Sequence, residues 1–295
     1  MKKKIFITGS NGFVGKKLST FLDQRNYQIL NYSDKMENHH SLRTQLTSFA
    51  PDVVIHLAGL SNVPYCEQHL DEAYISNVAG TSILLELLIT LPILPHLIFT
   101  SSAQVYNMQS PIISNVPVDE SFELAPSNTY GRTKLQAERI VNMMSSIYGL
   151  KTVVLRLFNH SHKDQDHSFF LPSMYQQILD AQNGGTISVG NLEVSRDFSL
   201  VNDLLSAIES IVLNLYKMDC FELFNVCSGQ ARSLRELVLA MAKLSGKDLT
   251  LVSDPKRFRS GEAKVIIGNG DRLRMKVGMT HPKRSIEEYV RHFTE

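Results

Sequence analysis

Residues 4–15 read Lys4-Ile5-Phe6-Ile7-Thr8-Gly9-Ser10-Asn11-Gly12-Phe13-Val14-Gly15. Ile5 to Ile7 is an apolar run of strand length. Gly9, Gly12 and Gly15 follow at a spacing of three, and Val14, Leu18, Phe21 and Leu22 then recur at helical spacing. The order is strand, glycine turn, helix. Glycines at such points let the backbone turn tightly, approach a pyrophosphate and pack helix on strand. The helix N-terminus then offers unpaired N–H groups and the positive end of its dipole to phosphates. A glycine triplet alone also fits a turn in another α/β fold, but the flanking strand and helix supply the context a dinucleotide site needs.

The rest of the chain is compatible with a large α/β enzyme. Its 295 residues can bury a substantial core, and a net charge of +1 gives no reason to expect a nucleic acid or membrane partner. Lys2-Lys3-Lys4 is too short for a targeting signal. The longest apolar stretch, Ser82 to Thr100, contains Glu86, Pro92, Pro95 and His96 and reads as helix, turn and strand. Cys66, Cys220 and Cys227 lack metal-ligand spacing and are expected as small core residues of a reduced, cytoplasmic protein with no metal.

Tyr27 to Tyr32 is expected as the second strand, with Asp34 just beyond it placed to hold adenosine ribose hydroxyls. Lys35, Lys16 and Lys17 could instead favour a 2′-phosphate. The cofactor is therefore NADP(H) or NAD(H), with a lean to NADP(H). Glu37 to Ser48 reads as a loop running into a helix. Val53 to Gly59 is a continuous apolar strand whose last residues, Leu57, Ala58 and Gly59, let backbone lie against a cofactor. His56 within it reads as a core histidine. A single helix is expected over Asp71 to Thr90, with Gly80 tolerated in it for close packing. The strand from His96 ends in Thr100-Ser101-Ser102, where ligands bind in open α/β sheets. The proline-rich loop 107–127 carries Ile112, Ile113 and Phe122 and is expected to be ordered over the substrate.

Tyr130 and Lys134 lie four apart at the start of a helix running to about Ser146. A free phenol has a pKa near 10, and lowering it by ~3 units would need ~4 kcal/mol of differential interaction. A nearby ammonium is expected to supply it. Polar Asn159 and His160 end the following strand.

Together the glycine turn, Asn77-x-x-Gly80-Thr81, Ser101-Ser102 and Tyr130-x-x-x-Lys134 resemble the extended short-chain dehydrogenase/reductases that act on nucleotide sugars. The resemblance covers essentially the whole chain. It implies a Rossmann-type doubly wound parallel sheet with a smaller C-terminal α+β substrate lobe. The cofactor domain is expected over 1–160, with 196–228 returning to it, and the lobe over 161–195 and 229–295. Ser102 would bond the substrate oxygen and Tyr130 transfer the proton, while Lys134 lowers the Tyr130 pKa and holds the nicotinamide ribose. Gly9, Asn11, Gly12, Phe13, Val14, Gly15, Asp34, Leu57, Ala58, Gly59, Asn77, Tyr130 and Lys134 would bind the cofactor. A homodimer through the helices bearing Asn77 and Tyr130 is also implied, although Leu84, Leu88, Ile140 and Met144 there could equally be core.

The C-terminal stretches Arg196-Asp197-Phe198 and Arg259-Ser260-Gly261-Glu262 resemble the GDP-mannose 4,6-dehydratase and GDP-4-keto-6-deoxy-mannose reductase branch. That likeness places Asn191, Arg196, Arg259 and Glu262 on the nucleotide and Asn159 near the phosphates or sugar. Dehydration needs an acid and a base after the catalytic hydroxyl, where this chain has Ala103 and Gln104, neither able to exchange a proton near neutral pH. Ketone reduction needs only a hydride, one proton donor and an oriented carbonyl. The expected activity is reduction of a nucleotide-linked 4-keto-6-deoxy-sugar. The alternatives are a 4-epimerase with tightly bound NAD and a non-catalytic cofactor-binding sensor or subunit.

Overall fold

The computed structural model describes residues 2–258, 262–280 and 282–295. The first half alternates strand and helix: β1 (Lys3–Thr8), α1 (Phe13–Asp23), β2 (Tyr27–Tyr32), α2 (His39–Phe49), β3 (Val53–His56), α3 (Val63–Gln68), α4 (Leu70–Tyr74), α5 (Gly80–Leu88), β4 (His96–Ser102), α6 (Thr129–Tyr148) and β5 (Thr152–Leu157). After it come β6 (Asn159–Ser161), α7 (Phe170–Asp180), β7 (Thr186–Val189), β8 (Ser195–Leu200), α8 (Val201–Leu213) and β9 (Phe221–Val226). The chain ends with β10 (Ala231–Ser233), α9 (Leu234–Leu244), β11 (Thr250–Ser253), β12 (Val265–Ile266), α10 (Asp271–Val277) and α11 (Ile286–Thr294).

Six strands pair in the order β2-β1-β3-β4-β5-β9, all parallel. This is the expected doubly wound sheet. A parallel sheet covered on both faces needs strands apolar on both faces, and β1 and β3 are such runs. One face packs Ile5, Ile7, Val53 and Ile55 against α1 and α8, and the other packs Phe6, Val54, Leu97 and Phe99 against α2, α5 and α6. His56 is core, as expected. Its Nδ1 lies 2.6 Å from Thr8 Oγ1 and its Nε2 3.0 Å from Thr81 Oγ1. Burial, with the Lys134 charge adding to it, pushes its pKa down to about 3.

The second layer is smaller. β8 lies between β10 and β12 and also pairs with β6, while β7 and β11 form a separate parallel pair. Residues 196–200, expected in the cofactor domain, thus belong to this second sheet, and the chain re-enters the large layer at Val201. α10 departs from expectation the other way: Leu273 and Val277 pack into the core of the large sheet. Asp197 fastens the crossings. Its carboxylate accepts from the Ser228 and Gly229 backbone N–H groups, the Ser228 hydroxyl and the Gly268 N–H, at 2.6–3.1 Å.

Two local differences bear on the site. The helix expected over 71–90 is interrupted by a π-helical turn, Ile75–Ala79, centred on Asn77. Gly80 follows it because a Cβ there would stand 2.9 Å from Met36 Cβ. The loop 107–127 is ordered: Val118 bridges to Gly268, and Ile113 and Val118 are buried with Tyr106 and Phe158. Of the cysteines, Cys66 and Cys227 are buried, but Cys220 is exposed and is not a core residue.

Candidate active site

The parallel strands β2, β1, β3 and β4 end along one edge, and the candidate cofactor residues gather there. Gly9 adopts φ +71°, and a Cβ on it would stand 2.5 Å from the Ala58 backbone nitrogen. A Cβ on Gly15 would meet the Gly9 carbonyl oxygen at 2.2 Å. The turn thus lies flat against the end of β3, where Leu57, Ala58 and Gly59 follow. Gly12 is the N-cap of α1 and supplies no capping side chain, so the N–H groups of Phe13 and Val14 point out of the helix end beside Asn11. This cradle fits a pyrophosphate. At its far side Ser10 Oγ donates to the Tyr32 carbonyl at 3.1 Å, fixing the turn to the end of β2. Asp34 is exposed just beyond, and its Oδ2 accepts from Ser41 Oγ at 2.7 Å and Asn38 Nδ2 at 3.4 Å. Ser41 therefore serves Asp34.

Asn77 is fully buried. Its Oδ1 accepts from Leu60 N–H at 2.7 Å, and its Nδ2 donates to Leu60 O at 3.0 Å and Thr133 Oγ1 at 2.9 Å. Through these bonds Asn77 holds the loop after β3 against α6, beside the start of the helix that carries Tyr130 and Lys134. Thr133 Oγ1 passes the link on to the Tyr130 carbonyl at 2.8 Å.

Ser102 ends β4, and Tyr130 and Lys134 project from the first turns of α6. Asn128 caps that helix, its Oδ1 accepting from Gly131 N–H at 2.8 Å, and Glu67 of α3 accepts the Thr129 N–H. Lys134 is buried. Its Nζ donates to the Thr100 carbonyl at 2.9 Å and lies 5.1 Å over the Phe99 ring. Burial pushes its pKa down to about 8, against the pull of Glu138. The expected lowering of Tyr130 is not found. Burial pushes its phenol up to about 12, outweighing its hydrogen bond with the Ser102 hydroxyl. A phenol in that state holds its proton at neutral pH, which is the form a proton donor needs.

In the second layer the structure brings together Asn191, Arg196 and Glu262. Arg196 donates to Glu262 Oε1 at 2.8 Å and to the carbonyls of Ser195 and Ala263, while Asn191 Nδ2 lies 3.2 Å from Glu262 Oε2. Asn159 is on the neighbouring strand, its Nδ2 donating to Asp197 O at 3.1 Å. Arg259 lies outside the described residues. His160 is half-buried with Nδ1 3.2 Å from Phe158 O, and burial pushes its pKa down. Sequence reasoning passed over Asn128 and Glu67. The Asn-x-x-Gly spacing of a helix cap pointed to the first, and nothing local pointed to the second.

The NAD dependent epimerase/dehydratase family matches residues 5–227. The chain belongs to that family. It is 32% identical to GDP-6-deoxy-D-mannose reductase from Pseudomonas aeruginosa, over 99% of this chain and 96% of that protein. It is 28% identical to GDP-6-deoxy-D-talose 4-dehydrogenase from Aggregatibacter actinomycetemcomitans, over 92% and 90%. The structure of RMD from Pseudomonas aeruginosa complexed with NADPH superposes with a TM-score of 0.88 at 30% identity, covering 99% of this chain and 97% of that one. A UDP-glucose 4-epimerase from Thermotoga maritima with UDP-glucose shares the fold at a TM-score of 0.84 and 23% identity, covering 98% of this chain and 97% of that one.

Proposed function

We propose that the protein is an NAD(P)H-dependent reductase of a nucleotide-linked 4-keto-6-deoxy-sugar, with GDP-4-keto-6-deoxy-mannose as its substrate. The observation that carries this is Tyr130 hydrogen-bonded with the Ser102 hydroxyl, one helical turn before the buried Lys134, with neither Ala103 nor Gln104 able to exchange a proton near neutral pH. Ser102 orients the ketone oxygen, Tyr130 gives it a proton, and the Lys134 ammonium stabilises the phenolate left behind. The nicotinamide, when bound, supplies the hydride. Gly9, Gly12 and Gly15 with the α1 N-terminus would hold its diphosphate, and Asp34 would hold the adenosine ribose. Asn191, Arg196 and Glu262 suit the nucleotide of the substrate, with Asn159 beside them. Two relatives named for GDP-6-deoxy-sugars, one a reductase and one a 4-dehydrogenase, support guanine as the base.

The competing reading, a 4-epimerase, draws on a UDP-glucose 4-epimerase from Halalkalibacterium halodurans that is 26% identical over 98% of this chain and 93% of that protein. One assay separates the two. Purified protein with NADPH, then NADH, and freshly generated GDP-4-keto-6-deoxy-mannose is followed at the nicotinamide absorbance. Stoichiometric oxidation is the expected result and names the preferred cofactor. No oxidation, with NAD released only on denaturation, would put the epimerase first.

No helix among the described residues is long and apolar enough to cross a membrane, and a cytoplasmic location suits a nucleotide-sugar enzyme. A homodimer would use the exposed Met143, Ile147 and Tyr148 on α6 with Leu70 and Ile75. Leu84, Leu88 and Met144 are core, and Ile140 packs against it.

A further inference from the structure

Ser102 and Tyr130 must stand in a fixed relation for proton transfer, yet the whole 107–127 loop separates them in the chain. A loop of that length does not set the relation by itself. A direct joint spans the gap at Gln104, and it has three parts. The Gln104 backbone N–H donates to Ser102 Oγ at 3.1 Å. The Gln104 side-chain Oε1 accepts from Asn128 Nδ2 at 2.8 Å, and Asn128 in turn caps α6 through the Gly131 N–H. The Gln104 carbonyl oxygen lies 2.2 Å from where a Cβ on Gly131 would be, so the backbones of the two segments touch one residue past Tyr130.

We infer that Gln104 is a positioning residue, a clasp that sets the Tyr130 phenol against the Ser102 hydroxyl. It works through Asn128 and Gly131, not through the reacting atoms. A carboxamide suits the task, because Asn128 Nδ2 needs an acceptor and a neutral one leaves the proton inventory of the site unchanged. The activity arm of this inference rests on the reductase reading; the clasp itself does not.

The test uses full-length Gln104→Met, which keeps length and loses the acceptor, and Gln104→Glu, which keeps the acceptor. Gln104→Met is expected to lower kcat by roughly 10-fold, since ångström-scale misplacement costs up to about 100-fold. KM for the ketosugar and the Kd for NAD(P)H stay within about 2-fold, because the Gln104 side chain is engaged by Asn128. Gln104→Glu restores most of kcat. Asn128→Ala opens the clasp from the other side, and the double variant with Gln104→Met is no slower than the slower single one. Amide exchange at Gly131, read without substrate, quickens by roughly 5- to 10-fold in Gln104→Met and not in Gln104→Glu, as for loss of one hydrogen bond. Unchanged kcat, a KM effect without a kcat effect, additive losses, or Gln104→Glu as slow as Gln104→Met would each overturn the inference. If the wild-type protein leaves the ketosugar untouched, the reductase reading falls and Gly131 exchange alone decides the clasp.

Discussion

Lys134 and Arg196 hold their charges in opposite ways. Lys134 is buried under the large sheet's edge and bonds a backbone carbonyl, and burial draws its pKa down to about 8. Arg196, in the second layer, is bonded to the Glu262 carboxylate. The first charge meets a dipole where a full negative charge would suit it better; the second is matched from the start. An under-compensated buried cation gains most when negative charge develops beside it, which is the condition for lowering a barrier. A matched pair gains little from chemistry but presents an ordered donor set to a ligand. On the proposed function, the contrast puts rate in one layer and nucleotide-sugar binding in the other.

The largest test of that division is Tyr130→Phe. It removes the proton donor and is expected to lower kcat by roughly 10²- to 10⁴-fold while the NAD(P)H dissociation constant, measured by fluorescence titration, holds. A smaller effect comes from Arg196→Ala. Losing charge-assisted bonds should raise KM for the nucleotide sugar by roughly 10- to 100-fold and leave kcat near wild type. A fall in kcat equal to that of Tyr130→Phe would erase the division. The smallest effect is on pH. As pH rises through about 8 Lys134 loses its proton and activity should fall, by up to about tenfold at one unit above that point. Its folded pKa lies below the ordinary lysine value, so between about 8 and 10.5 the unfolded chain binds more protons and this group's contribution to stability rises with pH. Activity and melting temperature measured over pH 7–10 should therefore diverge at this group.

The parts of the site written in short spacings were legible. Gly9, Gly12 and Gly15, and Tyr130 with Lys134, are fixed by the geometry of one turn and one helix face. What depends on distant chain was not. Arg196 and Glu262 stand 66 residues apart, and nothing local announces that they pair. Gln104 read only as an absent acid because its partner Asn128 lies 24 residues on. The direction of the Tyr130 shift follows burial, a property of the packed molecule, so the Tyr-Lys spacing alone pointed the wrong way. The π-helical turn at Asn77 contains no glycine or proline to mark a break, so the helix over 71–90 read as continuous. The second sheet's claim on Arg196 to Leu200 was likewise hidden, because the strands that pair with β8 are very short pieces elsewhere in the chain.

The route of the chain between its two sheets has a consequence for how the molecule comes into being. β6 and β8 lie in the second layer, α8 and β9 in the first, β10 and β12 in the second again, and α10 packs back on the first. Neither layer is a continuous segment. Ribosomal synthesis delivers β1 to β5 first, but the sheet stays open on its β5 side until β9 emerges, more than 60 residues later. The late-made Gly268 must then find Asp197. Each layer is therefore completed only after chain belonging to the other has been made, and neither is a self-contained segment.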